Sequence, residues 1–292
     1  MIDLHTHTDR SDGTFSPAEL VQASVALGLE ALGVTDHDTM DGYDLTVPLA
    51  AAAGLELISG IELSTRPEDG PTNGSRPPSV HLLGYFVQGP PSAGFHDWIR
   101  GHQESRRQRN IVLIAKLQAL GVDIAMEEVQ ALGKHLTGRP HFAKVLLRKG
   151  YVRTNQEAFD RYLADNASAA VEREEPGLVE GVRHIREGGG LPSLAHPVRL
   201  PQRDRNSLMA LLRTLVDNGL QGLEVYHSEH SPEETALYRD LAAEFQLVET
   251  GGSDFHGENK PAIQLGTGKD GNLNLPYRLL EDMRNYHAVA TR

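Results

Sequence analysis

Seven short stretches hold the residues of this chain that could do chemistry. His5-Thr6-His7 sets two imidazoles two positions apart, and Ser11-Asp12-Gly13 follows. Asp36-His37-Asp38, Gly60-Ile61-Glu62, His81, Ala195-His196-Pro197 and Ser253-Asp254-Phe255-His256 complete the set. Imidazole with carboxylate and no thiolate suits Mn, Zn or Fe, and differs from the all-oxygen shell of calcium. There are 14 histidines and no cysteine, which excludes zinc–thiolate sites, disulfides and cysteine nucleophiles. Taken singly, each piece has an ordinary role. Asp12 before Gly13 reads as a turn residue, and Asp36 and Asp38 read as helix caps. Glu62 could be solvated and His81 a satisfied core histidine. Together they share one property: each falls at or near the end of a predicted strand.

The elements that must position them alternate. Ile2–His5, Ala31–Thr35, Leu55–Leu63 and Val80–Phe86 read as apolar strands. Ser16-Pro17-Ala18-Glu19 opens a helix with a capping box and Pro at the first helical position. Leu45–Ala53 reads as helical, with Pro48 starting or kinking it. From about Phe95 to Arg186 the pattern is helical, with a long helix over His102–Leu120 and another opening at Gly138-Arg139-Pro140-His141. Strands resume at Leu191–Ala195, Gly222–Tyr226 and Leu247–Gly251, with helices near Arg205–Asp217 and Pro232–Phe245. Alternation of this kind implies a parallel sheet or barrel, whose strand ends converge on one rim. Alternate residues of a strand face one side, so His5 and His7 can meet one cation.

The chain has 292 residues, 39% hydrophobic, with 40 acidic against 28 basic side chains and a net charge of −12. That composition fits a globular fold of one or two domains. The acidic balance argues against a broad nucleic-acid surface, and extended duplex is an unsuitable ligand. No apolar run approaches the roughly 18 residues of a membrane span, and the start has neither the basic region nor the apolar core of a signal peptide. The expected location is the cytoplasm, with no membrane partner.

With these motifs in order, the sequence resembles the PHP family, named for its polymerase and histidinol phosphatase members. The resemblance implies an α/β fold, a distorted (β/α)7 TIM-like barrel with a helical insertion. It places the metal-binding barrel at residues 1–94 and 187–292, and the insertion that shapes the substrate pocket at 95–186. It implies three divalent cations, Mn first and Zn or Fe as alternatives. His5, His7, Glu62 and Asp254 would hold the first. Glu62 would bridge to a second, held also by His81 and His196. Asp12, His37 and His256 would hold the third. Glu62, Asp254 and His196 would be catalytic through these cations. Two cations sharing a carboxylate also share a water and lower its pKa, giving hydroxide for in-line attack on phosphorus. Asp36 and Asp38 are candidates for orienting the ligands.

Gly138-Arg139-Pro140-His141-Phe142 and the stretch around Arg106, Arg109 and Asn110 resemble the subgroup of nucleoside 3′,5′-bisphosphate phosphatases and short-RNA 5′→3′ exoribonucleases. A small phosphorylated nucleotide or short RNA is then the expected partner. A second phosphate needs cations away from the metals, and guanidinium grips phosphate bidentately. Arg139, Lys134, His135 and Arg199 are the expected substrate contacts. Arg106, Arg107 and Arg109 are equally readable as a solvated helix face, and Lys144 lies in the same insertion. Tyr85, Phe86, Phe142, Tyr226 and Phe255 could stack on a base or pack in the core. Histidinol-phosphate phosphatase, a small cyclic-phosphate phosphodiesterase and a catalytically silent scaffold module are the alternatives. Lost ligands would mark the last, and none is lost.

Overall fold

Seven apolar runs become strands: β1 (Ile2–Thr6), β2 (Ala31–Val34), β3 (Glu56–Thr65), β4 (Val80–Phe86), β5 (Leu191–Leu194), β6 (Gly222–His227) and β7 (Val248–Gly252). In this computed structural model, which describes residues 1–67, 79–133, 136–172 and 175–290, they form one sheet in sequence order. The last strand returns to the first. Asp254 N–H donates to His5 O at 2.8 Å and His7 N–H to Phe255 O at 2.9 Å. Buried Asp3 ties the same seam by accepting from Ser253 N (2.8 Å), Ser253 Oγ (2.6 Å) and Gly266 N (2.8 Å). The backbones meet so closely that a Cβ on Gly252 would stand 2.3 Å from His5 N. The result is a nearly closed, distorted (β/α)7 barrel with a helical insertion.

One strand departs from the expected parallel arrangement. β4 runs antiparallel to both β3 and β5. Among the described residues β4 follows β3 directly in the element order, and an antiparallel pair of neighbouring strands needs no crossover helix. The reversal has a functional consequence. His81, at the start of β4, pairs with Ser64 near the end of β3. A residue at a strand's beginning thereby joins residues at the other strands' ends.

The helices follow local signals. Ser16 caps α1 (Pro17–Ala26): Glu19 N–H donates to Ser16 Oγ at 3.3 Å, and Ser16 N–H to Glu19 Oε2 at 2.8 Å. α2 (Asp41–Ala53) begins four residues before the expected start and runs through Pro48. The insertion comprises α3 (Ala93–Ala119), α4 (Met126–Gly133), α5 (Arg139–Arg148), α6 (Asn155–Ala158) and a π-helical turn, Phe159–Leu163. α3 starts well ahead of His102 because Ser92 caps it and Phe95 and Ile99 are buried. α7 (Leu178–Glu187), α8 (Arg205–Asp217), α9 (Pro232–Glu244) and α10 (Arg278–Ala290) cover the barrel. Leu113, Leu117, Phe142, Leu146 and Leu163 form a core of the insertion's own. Ile61, Leu82, Val182, Leu212 and Leu241 belong to the core between the sheet and α7–α9. Among the described residues, no helix is long and apolar enough to cross a membrane.

Candidate metal centre and its cleft

Glu62 is the hub. It is fully buried on β3, and its two carboxylate oxygens divide five imidazoles between them. Oε2 lies 3.2 Å from His5 Nε2, 3.0 Å from His7 Nε2 and 3.3 Å from His37 Nδ1. Oε1 lies 2.7 Å from His81 Nδ1 and 2.8 Å from His196 Nε2. Asp254 Oδ1 stands 3.5 and 3.4 Å from the Nε2 atoms of His5 and His7. Asp12 Oδ1 stands 3.2 Å from His256 Nε2 and 3.9 Å from His37 Nε2.

Among the described residues, three groups bring atoms of ligand type within 4.8 Å of one another: His5, His7, Glu62 and Asp254; His7, Asp12, His37 and His256; and His37, Glu62 and His81. The first has the membership expected from sequence. The second adds His7 to the expected three. The third holds His37, while His196 joins the hub through Glu62.

The chemistry of these atoms fits divalent cations. Both ring nitrogens of His7, with Asp12 Oδ1, His37 Nδ1 and Asp254 Oδ1, are buried without a hydrogen-bond partner. Such atoms are costly unless something else satisfies them. Electrostatics point the same way. Burial pushes His37 and His256 below the usual imidazole range. Burial and then Arg199, against the hydrogen bond to Glu62, push His196 down to about 3. All three are therefore neutral, as a ligand must be. Burial also opposes charge on His7, but Asp254, Glu62 and Asp12 outweigh it and lift that imidazole to about 9. The carboxylates crowded here thus draw positive charge into the centre.

The rim backbone is bent to aim these groups. Among the described residues, non-glycine positive φ occurs at five positions, three of them on this rim: Asp38 (53°), His196 (24°) and Asp254 (58°). Left-handed backbone costs about 1 kcal/mol or more at such residues and concentrates at functional sites. Asp36 and Asp38 are not caps, since α2 starts from Met40 without a side-chain cap. Asp36 instead accepts from Thr8 N (2.8 Å), Thr8 Oγ1 (2.6 Å) and Ser11 Oγ (2.5 Å), fixing the loop that carries Asp12. Asp38 accepts from Ser64 N at 2.7 Å and pairs with Arg106.

Three residues around the centre escaped the sequence reading. Glu224, buried on β6, accepts from His5 Nδ1–H at 2.8 Å and from His196 N–H at 2.6 Å, through different oxygens. Glu62 and Asp254 face the other ring nitrogen of His5, Nε2. Burial resists its ionisation, but His5, His227 and His196 bring this carboxyl down to about 2. Its signal was an acidic residue inside an apolar strand. Asp254 Oδ2 accepts from Lys260 Nζ (2.6 Å) and His227 Nε2–H (3.3 Å), as well as from Arg199 Nη2 (2.7 Å). Asp254 is thereby clamped by one oxygen and open at the other.

Glu224→Gln tests the positioning role. An amide has one acceptor for the two donors, so its NH2 would face an N–H. Affinity for Mn is expected to fall about tenfold, since outer partners of ligating histidines carry that much. Titration calorimetry with Mn reads it, and unchanged affinity would remove Glu224 from this role.

A cleft of about 190 Å³ opens from the centre. Asp12, His37 and His81 form one wall, and Arg106, Arg109 and Arg139 another. Arg106 and Arg109 are buried, so they are not a solvated face, whereas Arg107 is exposed and pairs with Glu104. Arg139 donates to Asp165 Oδ1 at 2.8 Å. Arg199 is held by Glu229 at 2.8 and 2.9 Å besides Asp254, and is not among the lining residues. Lys144 bonds Asn259. Lys134 and His135 lie outside the described residues. Tyr85, Phe86, Phe142 and Phe255 are core, and Tyr226 bonds Glu249.

Residues 3–166 match the family model of the PHP domain. The chain belongs to the PHP domain family. Among its PHP relatives, a 5′-3′ exoribonuclease of Haemophilus influenzae is 31% identical over 87% of this chain and 89% of its own length. A phosphoribosyl 1,2-cyclic phosphate 1,2-diphosphodiesterase of Eggerthella lenta is 30% identical, over 88% of this chain and 94% of its own. A 3′,5′-nucleoside bisphosphate phosphatase of Chromobacterium violaceum is 28% identical, over 92% of each. A solved structure from Bifidobacterium adolescentis, described provisionally as a metal-dependent phosphoesterase, superposes with a TM-score of 0.80. It is 29% identical, with 98% of this chain and 96% of that one covered.

Proposed function

We propose that this PHP protein is a metal-dependent phosphoric ester hydrolase that removes the 3′-phosphate from nucleoside 3′,5′-bisphosphates. One observation carries the reading: a single cleft is lined both by side chains of metal-ligand type and by three arginines. Two anion-binding walls suit a substrate with two phosphates. The relative named for that reaction supports it. Residues 1–94 and 187–292 would supply the ligand wall, and 95–186 the arginine wall.

His5, His7, Glu62 and Asp254 would hold one cation, Glu62, His81 and His196 a second, and Asp12, His37 and His256 a third, with Mn as the metal. When bound, divalent cations supply Lewis acidity toward phosphoryl oxygens and make water a stronger acid. The protein's own part is placement. Arg106, Arg109 and Arg139 would take the 5′-phosphate and so fix the 3′-phosphate against the ligand-type residues, which converts binding into orientation. A water oxygen bonds to phosphorus as the P–O3′ bond breaks. O3′ takes a proton, leaving nucleoside 5′-monophosphate and inorganic phosphate.

The same walls would serve a short 5′-phosphorylated RNA, and the relative named 5′-3′ exoribonuclease favours that second reading. Phosphate release and product analysis separate the two. Mn-loaded protein is given adenosine 3′,5′-bisphosphate, adenosine 3′-monophosphate, histidinol phosphate and a 5′-phosphorylated RNA trimer at equal concentration. Preference for the bisphosphate, yielding adenosine 5′-monophosphate, is expected. Preference for the trimer would make RNA trimming the main activity. Turnover of histidinol phosphate alone would overturn both.

A further inference from the structure

We propose that Phe159 is the platform on which the substrate's nucleobase stacks. This rests on the bisphosphate reading and adds what that reading leaves open, namely which part of the cleft meets the base. Beyond the ligand-type residues and the arginines, the lining includes three apolar side chains, Leu136, Pro140 and Phe159. Phe159 is the one phenyl ring among its described lining residues.

The ring is half-buried and packs on the insertion's own core, so it is held in place with surface left toward the cleft. Its backbone is unusual. Phe159 opens the π-helical turn Phe159–Leu163, closed where Ala164 N–H donates to Phe159 O at 2.9 Å. A π-turn is a rare departure from α-geometry and re-aims the side chains it carries. The end of this turn is pinned by the phosphate wall itself. Arg139 Nη1 donates to Leu163 O at 3.3 Å and to Asp165 Oδ1 at 2.8 Å. Arg66 Nη2 pairs with Asp165 Oδ2 at 2.9 Å. A guanidinium that would bind the remote phosphate therefore also fixes the turn that presents the ring.

A phenyl face attracts any base by stacking and reads no hydrogen-bond pattern. Phe159 thus selects nucleotides over plain sugar bisphosphates while discriminating weakly among bases.

The test compares adenosine 3′,5′-bisphosphate with its abasic analogue, in which hydrogen replaces the base. The wild type is expected to show a KM about tenfold lower for the nucleoside, the scale of one base–aromatic stack. Phe159→Leu keeps apolar volume and removes the ring. It should raise the nucleoside KM to the abasic value while leaving kcat and the abasic KM within about twofold. Phe159→Trp should retain the preference. A wild-type KM equal for both substrates overturns the proposal whether or not the variants fold. So does a Leu variant that keeps the preference, or that raises both KM values together. Absence of turnover of either substrate by the wild type overturns the bisphosphate reading as well.

Discussion

Glu62→Gln is expected to lose at least about 100-fold in turnover and to purify with fewer metal ions than the wild type. Its carboxylate faces five imidazoles, three through Oε2 and two through Oε1. Glutamine has nearly the same shape, so packing is kept. Its amide nitrogen carries two protons and no lone pair for a cation. Whichever way the amide turns, one half of the hub loses its oxygen. Elemental analysis reads the metal content, and the phosphate assay reads turnover. A third readout separates chemistry from folding. Added Mn should raise the wild-type melting temperature, because a ligand bound only to the native state stabilises it. It should raise that of the variant much less. Full activity with unchanged metal content would show that Glu62 does not bridge.

The second large effect is expected at Arg106. Arg106→Ala should lower kcat/KM for adenosine 3′,5′-bisphosphate by about 100-fold, the scale of truncating a buried charge pair. Turnover of an aryl phosphate, which has no second phosphate, should fall far less. The side chain does two things. It lines the cleft, and it pairs with buried Asp38, whose backbone is left-handed. Removal also takes the ion-pair partner from Asp38, so a stability loss of about 3 kcal/mol is expected. Arg107→Ala is the control, since Arg107 is exposed and pairs with Glu104 one turn away. Equal losses on the two substrates would take Arg106 out of phosphate recognition.

The side chains gathered around Glu62 were legible as a set because strand ends are legible. An apolar run that stops at His or Asp marks both the strand and the rim, and His5, His37, His196 and Asp254 follow that rule, whereas Glu62 interrupts an apolar strand from inside. The direction of β4 was not legible, because alternation of strands with helices reads as parallel everywhere and His81 looks the same in either direction. Arg106 and Arg109 were readable either way for a related reason. Periodicity says which residues share a face, and nothing about what the face meets. Arg106, Arg109, Asn110, Leu113, Ile114 and Leu117 are one buried stripe along α3. Its far half packs on the insertion core, and its near half turns toward the cleft. An apolar stripe that continues as arginine was the signal. Glu224, His227 and Lys260 stayed hidden because they act on ligands from behind, where no motif spacing records them.

The seam between β1 and β7 also sets an order of events. Asp3 and Ser253, which join across it, stand 250 positions apart in the chain. Six of the nine proposed ligand residues lie before position 82, so a ribosome makes most of the candidate donor set early. The two groups that include Asp254 or His256 cannot close until the segment from Val248 to His256 has been synthesised. Contacts of such long sequence separation form late, because the intervening chain must first be ordered. The centre is therefore completed only when the last strand is in place, and until then a nascent chain carries His5 and His7 without the enclosure that surrounds them in the native fold.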